Sequence, residues 1–519
     1  MIERRIDDGR RTTPAAASSG GRGAAGFPLS RRFLLRWSGA GVAGPLAGRL
    51  GAGWAPGGTL AQERGGRERD VAIRRVGDAV VVEIDGIPVD VPAVVQTRHG
   101  MASRAVPAAE APDDEPTGGG APPTPALDPR TGPDIYLSHY LPFQPFPTPE
   151  ALARALVETE GRLWALDPGS GATPVPARPH DHAAGLPGSA PALPGGAPAD
   201  VPSAPPEPST PSAMAAGRFG WSATVPAQPG SDIRRNVYDL TRREWRRFVD
   251  ALDRAKASGA YDRFVVEHLL AMGFAHRSPT FGPWHRWYLR RFERALQSFV
   301  PGVTVPYWDW AADALLPDPV AAPLWTRQYL GGDGDPGDGD RVPDGPFADW
   351  ASSIQTATGD PLTVERPGII RSLGRYEARI RTLPRPGDVD AAMGRDVYDV
   401  APYDTTSPSG FRNALEGWSP VMFGGAPGLH NRVHVWVGGD MVSATSPNDP
   451  AFWLHHANVD RLWARWQQRF PDAGYEPRSG GPAGLNLDDP IAWMDEPGGA
   501  TISPAGTLDS LALGYAYEE

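Results

Sequence analysis

The stretch His430-Asn431-Arg432-Val433-His434-Val435-Trp436-Val437-Gly438-Gly439, with Ser446-Pro447-Asn448-Asp449-Pro450-Ala451-Phe452-Trp453-Leu454-His455-His456 close behind it, decides how the rest of the chain reads. His430 and His434 stand at i and i+4, so they face the same way on a helix that Gly438-Gly439 would end. Asp449-Pro450 suits the N-cap and first turn of a second helix, which carries His455 and His456. Adjacent helical residues point about 100° apart, so only one of that pair can join the first two at an ion. Spacing does not choose between them.

A second histidine group lies upstream. The sequence predicts a helix through Tyr261–His268 that ends near Gly273, which would leave His276 on a loop. Pro283 suits the start of a further helix, placing His285 in its first turn. On one continuous helix His268 and His276 would be rotated by roughly 80°. A single histidine is more often a hydrogen-bonded structural residue than a ligand. Two groups of three, in a chain with 11 histidines and no cysteine, shift that balance. Neutral imidazole suits copper, zinc, iron and nickel. A dizinc hydrolase ordinarily needs bridging carboxylates, and none stands at ligand spacing. An all-imidazole set therefore favours two copper ions that change oxidation state, with dioxygen as co-substrate.

Length and composition bound the remainder. A chain of 519 residues has room for two domains or more, and 62 glycines with 59 prolines predict long irregular segments. A net charge of −11 leaves no basic footprint, so no nucleic-acid partner is expected. The absence of cysteine excludes disulfides, thiolate metal sites and a thiol nucleophile. Ser30-Arg31-Arg32-Phe33-Leu34-Leu35-Arg36 precedes a Gly/Ala-rich run too short and interrupted to span a bilayer. Residues 1–61 therefore read as a twin-arginine-type signal, implying export to a secreted or periplasmic location without stable membrane insertion.

Residues 71–166 read as a small α+β module. Val80, Val82 and Ile84 alternate, Asp85-Gly86 supplies a hairpin turn, and Ile87, Val89 and Val91 alternate again. A strand over Ile135–Tyr140 and a helix capped by Thr148 follow. Residues 167–230 are a Pro/Ala/Gly-rich linker, expected to be a flexible tether, and its His180-Asp181-His182 reads as an inert solvated pair. The catalytic region spans 231–519 and opens with a capping box at Thr241–Glu244, followed by Trp245, Phe248 and Leu252 at helical spacing. Arg432 and Asp460 are expected to form a structural ion pair.

Phe281-x-Pro-Trp-His285-Arg286, Pro306-Tyr-Trp-Asp-Trp310, His430-Asn431-x-Val-His434-Val-Trp436 and Ser446-Pro-Asn-Asp-Pro-x-Phe-Trp-Leu-His-His456 together resemble the bacterial tyrosinases over about 230–470. The resemblance implies a mainly α fold, a four-helix bundle around a coupled dicopper centre. It assigns one copper to His268, His276 and His285, and the other to His430, His434 and His456, leaving His455 outside the ligand set. Phe281 and Phe452 would pack beside the metals. Asn431 with Glu416 would orient the water that deprotonates a phenolic substrate, and Ser446 would stand at an open pocket mouth. The implied activity is conversion of phenols to catechols and o-quinones with O2. Alternatives are an o-aminophenol or catechol oxidase, an oxygen carrier, or a dizinc hydrolase. Gly282 departs from the family, where leucine is common at that position. The Asp-Gly hairpin, Ser138-His139-Tyr140 and the Pro-x-Pro before an alanine-rich helix are similar to the caddie copper chaperone of bacterial tyrosinases. That likeness implies an intramolecular cover for the copper pocket, with Tyr140 in the substrate position.

Overall fold

Asp85 and Gly86 both take positive φ, 52° and 75°, and this turn joins β3 (Ala79–Ile84) to β4 (Ile87–Asp90) as the alternating pattern predicts. The structure is a computed structural model and describes residues 59–64, 67–77, 79–98, 131–166, 232–357, 363–491 and 502–518. The predicted signal up to residue 58 and the 167–230 tether with its His180-Asp181-His182 lie outside the described residues. All described residues belong to the compact unit that begins at Gly57.

β1 (Thr59–Arg64) and β2 (Arg67–Val76) complete an antiparallel sheet in the order β1-β2-β3-β4. Thr59, at the end of the predicted signal, pairs with Ala72 in this sheet. Helix α1 (Pro149–Thr159) packs against β1, β2 and β3. Its N-cap Thr148 accepts the Ala151 N–H at 3.1 Å, and Leu152 and Leu156 bury fully with Val82 and Ile84. A hairpin of β5 (Ala93–Arg98) and β6 (Thr131–Leu137) extends the module. β7 (Trp164–Ala165) then leaves it to pair in parallel with β9 (Ser352–Thr356), which also pairs with β10 (Thr363–Arg366). The module and the helical region are thereby joined through one sheet.

The helical region is built from α2 (Arg242–Ala257), α3 (Ala260–Ala275), α4 (Phe281–Phe299), α5 (Phe411–Glu416), α6 (Leu429–Val437) and α7 (Ala451–Arg469). The capping box forms, with Thr241 and Glu244 satisfying each other's backbone N–H groups. Helix α4 packs on α2, α3 and α7, and α6 on α5 and α7. Three boundaries differ from expectation. Helix α3 runs through Gly273 to Ala275, because the surrounding apolar contacts outweigh the roughly 1 kcal/mol cost of an internal glycine. Helix α4 starts at Phe281, so Pro283 sits inside its first turn, where its missing N–H costs nothing. Helix α7 starts at Ala451, and Asp449 accepts the Ala451 N–H from outside it at 2.9 Å. Gly282 also gains a reason: a Cβ there would come within 3.0 Å of the Tyr398 hydroxyl and 3.1 Å of Trp463.

The termini of the region are locked by buried charge. β8 (Asp232–Arg234) pairs in parallel with β11 (Tyr515–Tyr517). Arg432 does not reach Asp460; its Nε donates to the Pro427 carbonyl at 3.0 Å. Asp460 instead accepts from Arg234 at 3.2 Å, from Arg286 at 2.5 Å and from the hydroxyls of Tyr515 and Tyr517 at 2.6 and 2.7 Å. Among the described residues no helix is long and apolar enough to cross a membrane. Replacing Asp460 with Ala leaves the buried Arg286 guanidinium without a carboxylate partner, while Arg234 keeps Glu293 at 3.0 Å, and is expected to cost about 3–5 kcal/mol of stability. Denaturant unfolding of the full chain checks this.

Candidate metal centre

The six predicted ligands enter the same interior volume from five local structures. His268 comes from α3, His276 from the extended residue just past its end, and His285 from the second turn of α4. His430 and His434 share one face of α6, and His456 lies on α7. All six are buried. The ligand-capable atoms of His268, His276 and His285 lie within 4.8 Å of one another, as do those of His430, His434, His455 and His456. Both groups consist of histidine alone.

The trios face each other. The His285 ring stacks on His456 with centroids 4.3 Å apart and planes at 14°, and His276 lies 5.8 Å from His430. The ring orientations follow from one repeated device. His268 Nδ1 donates to the Ala444 carbonyl at 2.8 Å, His285 Nδ1 to Phe281 at 2.8 Å, and His434 Nδ1 to Met441 at 2.6 Å. His430 Nδ1 donates to Asn431 Oδ1 at 2.9 Å. In each case the bond selects the tautomer whose Nε2 lone pair points inward. The Nε2 atoms of His268 and His285 are buried without a hydrogen-bond partner, as are both nitrogens of His276. The Nε2 atoms of His430 and His434 converge on His456 Nε2, at 3.3 and 3.4 Å.

Burial keeps these rings neutral. It lowers His268 to about 4 and His430 to about 3, and drives His276, His285, His434 and His456 well below the usual imidazole range. A cluster of buried, uncharged nitrogens without partners would be costly unless a cation accepts their lone pairs. The donor set fits two borderline-soft metal ions and offers no bridging carboxylate.

His455 stacks on His430 with centroids 5.1 Å apart, and neither of its ring nitrogens has a hydrogen-bond partner. It therefore remains near the second trio, although the three Nε2 atoms converge through His456. Phe281 packs 4.9 Å from both His285 and His430, and Phe452 lies 4.2 Å from His456 and 4.9 Å from His268. Asn431 spends its carbonyl on His430, while its buried Nδ2 has no partner. Glu416, at the end of α5, accepts the Arg277 backbone N–H at 2.5 Å and an Arg412 N–H at 3.1 Å. Burial raises its pKa, and the Arg412 charge only partly opposes that. Ser446, expected at a pocket mouth, is fully buried with its hydroxyl unpartnered.

One expected residue is elsewhere. Tyr140 is buried within the N-terminal module, with its ring 5.0 Å from Trp164 and 3.9 Å from His139. The ring that reaches the histidines is Phe143, stacked on His434 at 3.8 Å and 20°, with its edge toward His276 and His430. Ser138 explains the difference. Its hydroxyl donates to buried Asp90 at 2.6 Å and accepts the Tyr140 N–H at 3.1 Å, turning the chain so that Tyr140 faces inward. A signal for Phe143 existed in Pro142-Phe143-Gln144-Pro145, since flanking prolines keep a segment out of regular sheet and present its aromatic ring. Arg277 also went unnoticed. It takes a positive φ of 62°, and its guanidinium donates to the Ser138 and Pro142 carbonyls at 3.3 and 3.2 Å.

Two facing trios of neutral imidazole within a helical core define a dicopper oxidoreductase. The model of the common central domain of tyrosinase matches residues 258–469. The chain is 46% identical over 292 residues to the tyrosinase of Streptomyces glaucescens, covering 54% of this chain and 97% of that protein. It is 44% identical over 289 residues to the tyrosinase of Streptomyces antibioticus, covering 53% and 96%. Identity to the grixazone synthase of Streptomyces griseus subsp. griseus is 38% over 318 residues, covering 55% and 99%. The chain belongs to the tyrosinase family. His456→Ala is expected to lose one of the two bound copper ions and His455→Ala to retain both, as read by elemental analysis of the purified full chain.

Proposed function

We propose that this chain hydroxylates monophenols at the ortho carbon and oxidises the resulting catechols to o-quinones, and that its own N-terminal module holds it latent. The observation that carries the second half is the Phe143 ring stacked on His434, because an aromatic ring already occupies the face that a phenol would approach. His268, His276 and His285 would hold one copper, and His430, His434 and His456 the other. The copper pair, when bound, supplies the binding of dioxygen and the electron transfer to it.

The surrounding residues prepare the phenol. Four of the six imidazoles are aimed before substrate arrives, since backbone carbonyls fix the tautomers of His268, His285 and His434 and Asn431 fixes that of His430. Asn431 can offer its unpartnered Nδ2–H to a water, with its own orientation set by His430. Glu416 lies at the end of the helix packed against α6, and its raised pKa makes it a better proton acceptor for that water than an exposed carboxylate. Buried walls of Phe281 and Phe452 exclude bulk water from the histidines.

Docking of the cover rests on several contacts besides Phe143. Trp164 and Ala165 pair with Gln355 and Thr356, Arg162 bonds Asp340 at 2.6 Å, and Arg366 donates to the Arg162 carbonyl at 2.7 Å. Leu137 packs on Trp418 and Val421, next to Glu416. These contacts do not depend on the tether, so cleavage within 167–230 alone is expected to leave the module in place. The Arg31-Arg32 segment supports export of the folded protein by the twin-arginine route.

Phe143→Ala in the full chain is expected to raise monophenol oxidation by about tenfold or more, the scale set by losing one stacked aromatic contact. Tyr140→Phe should change it little. An unchanged Phe143→Ala rate on small phenols argues against the cover. Asn431→Ala is expected to lower monophenol hydroxylation by about a hundredfold while catechol oxidation falls less, because only the former needs the positioned base. Turnover of catechols or o-aminophenols with no hydroxylation of any monophenol would replace this reading with that of a diphenol or o-aminophenol oxidase.

A further inference from the structure

Arg277 directly follows the ligand-position residue His276 and is a buried cation in a left-handed backbone conformation. Its backbone N–H holds Glu416, and its guanidinium lies 5.5 Å from the Trp418 ring centre. The Glu416 and Asp90 carboxylates contribute to its electrostatic surroundings. Its Nη2 donates to two carbonyl oxygens of the covering module, those of Ser138 and Pro142. Phe143 comes next in the chain and lays its ring on His434. A single short segment thus presents an aromatic ring to the metal-binding histidines and a pair of oxygens to a cation. Only Cβ, Cα and the amide nitrogen of Phe143 separate that ring from the Pro142 carbonyl carbon.

Building on the covering role of the module, we propose that residues 138–143 imitate a substrate, and that Arg277 binds the carboxylate of an incoming phenolic acid once they withdraw. The substrate class is a phenol carrying a carboxylate on a tether of two or three atoms. A guanidinium presents a planar fork that matches the two oxygens of a carboxylate. A carboxylate adds to such a bond a charge–charge attraction that the module's neutral carbonyls do not supply. An acid of the right length therefore competes with the cover at both of its contacts, while a neutral phenol competes at only one. Arg277 acts here as a specificity residue; its side chain takes no part in the oxidation.

The test uses the copper-loaded full chain carrying Phe143→Gly, with and without Arg277→Gln. Substrates are 3-(4-hydroxyphenyl)propionate, 4-(4-hydroxyphenyl)butyrate and the methyl ester of each. In Phe143→Gly, kcat/KM is expected to favour each acid over its ester by about tenfold, mainly through KM, as one charge-assisted bond would give. Arg277→Gln should bring that ratio close to one, and Arg277→Lys should keep part of it, with copper content equal in all variants. Calorimetric binding of the non-oxidisable 3-phenylpropionate should show the same dependence on Arg277. Equal use of acid and ester by Phe143→Gly, or an acid preference that survives Arg277→Gln, overturns the proposal and leaves the cover standing. A Phe143→Gly chain no more active than the parent overturns both. If Arg277→Gln loses copper, the comparison rests on Arg277→Lys, where an acid preference undiminished from Phe143→Gly alone counts against the proposal.

Discussion

Six neutral imidazoles buried in one interior volume are the constraint on which the rest of the structure depends. Each ring must give up hydration, stay uncharged and aim one nitrogen inward, and for His268, His285, His430 and His434 a carbonyl that fixes the other nitrogen meets all three needs at little cost. Much of that burden falls on the irregular segment between α6 and α7. Its Ala444 carbonyl orients His268 of one trio, and its Met441 carbonyl orients His434 of the other. One loop therefore sets both halves of the site. The loop is itself clamped by charge, with Arg366 on Asp440 and Arg371 on Asp449, both carboxylates fully buried. Gly439 lets it lie against the Ile370 carbonyl, which a Cβ would approach to 2.0 Å.

That clamp also connects the site to the N-terminal module. Arg366, which holds Asp440, donates to the Arg162 carbonyl immediately before β7 joins β9. At the other side Arg277 joins the residue after a ligand-position histidine to the loop that carries Phe143. The module thus touches the centre through its aromatic ring, and touches the supports of the centre through two arginines. Docking of the module is thereby tied to the arrangement of the histidines, because the same residues serve both.

Much of the helical region was legible in the sequence, because its signals are local. The i, i+4 spacing of His430 and His434, the Thr241–Glu244 box, the Asp85-Gly86 turn and the Thr148 cap each depend on backbone geometry within a few residues. The helix limits near Gly273 and Pro283 were less legible, since burial of neighbouring apolar side chains outweighs the intrinsic preference of one glycine or proline. The expected Arg432–Asp460 pair failed for a related reason. Asp460 is claimed by Arg234, Arg286 and two tyrosines that arrive from opposite ends of the region.

By itself the sequence determined that two groups of three histidines exist, that no thiol or bridging carboxylate joins them, and that a small module precedes them. Only the tertiary structure decided which carbonyl orients which imidazole, that His456 is the ring on which the second trio converges, and that Phe143 rather than Tyr140 lies over the centre. The physical reason is separation along the chain. A histidine's place on a helix is set by its neighbours, whereas the direction of Tyr140 is set by Ser138 and Asp90, and that of Phe143 by α6, nearly three hundred residues further on. Contacts between segments so far apart leave no periodicity to read.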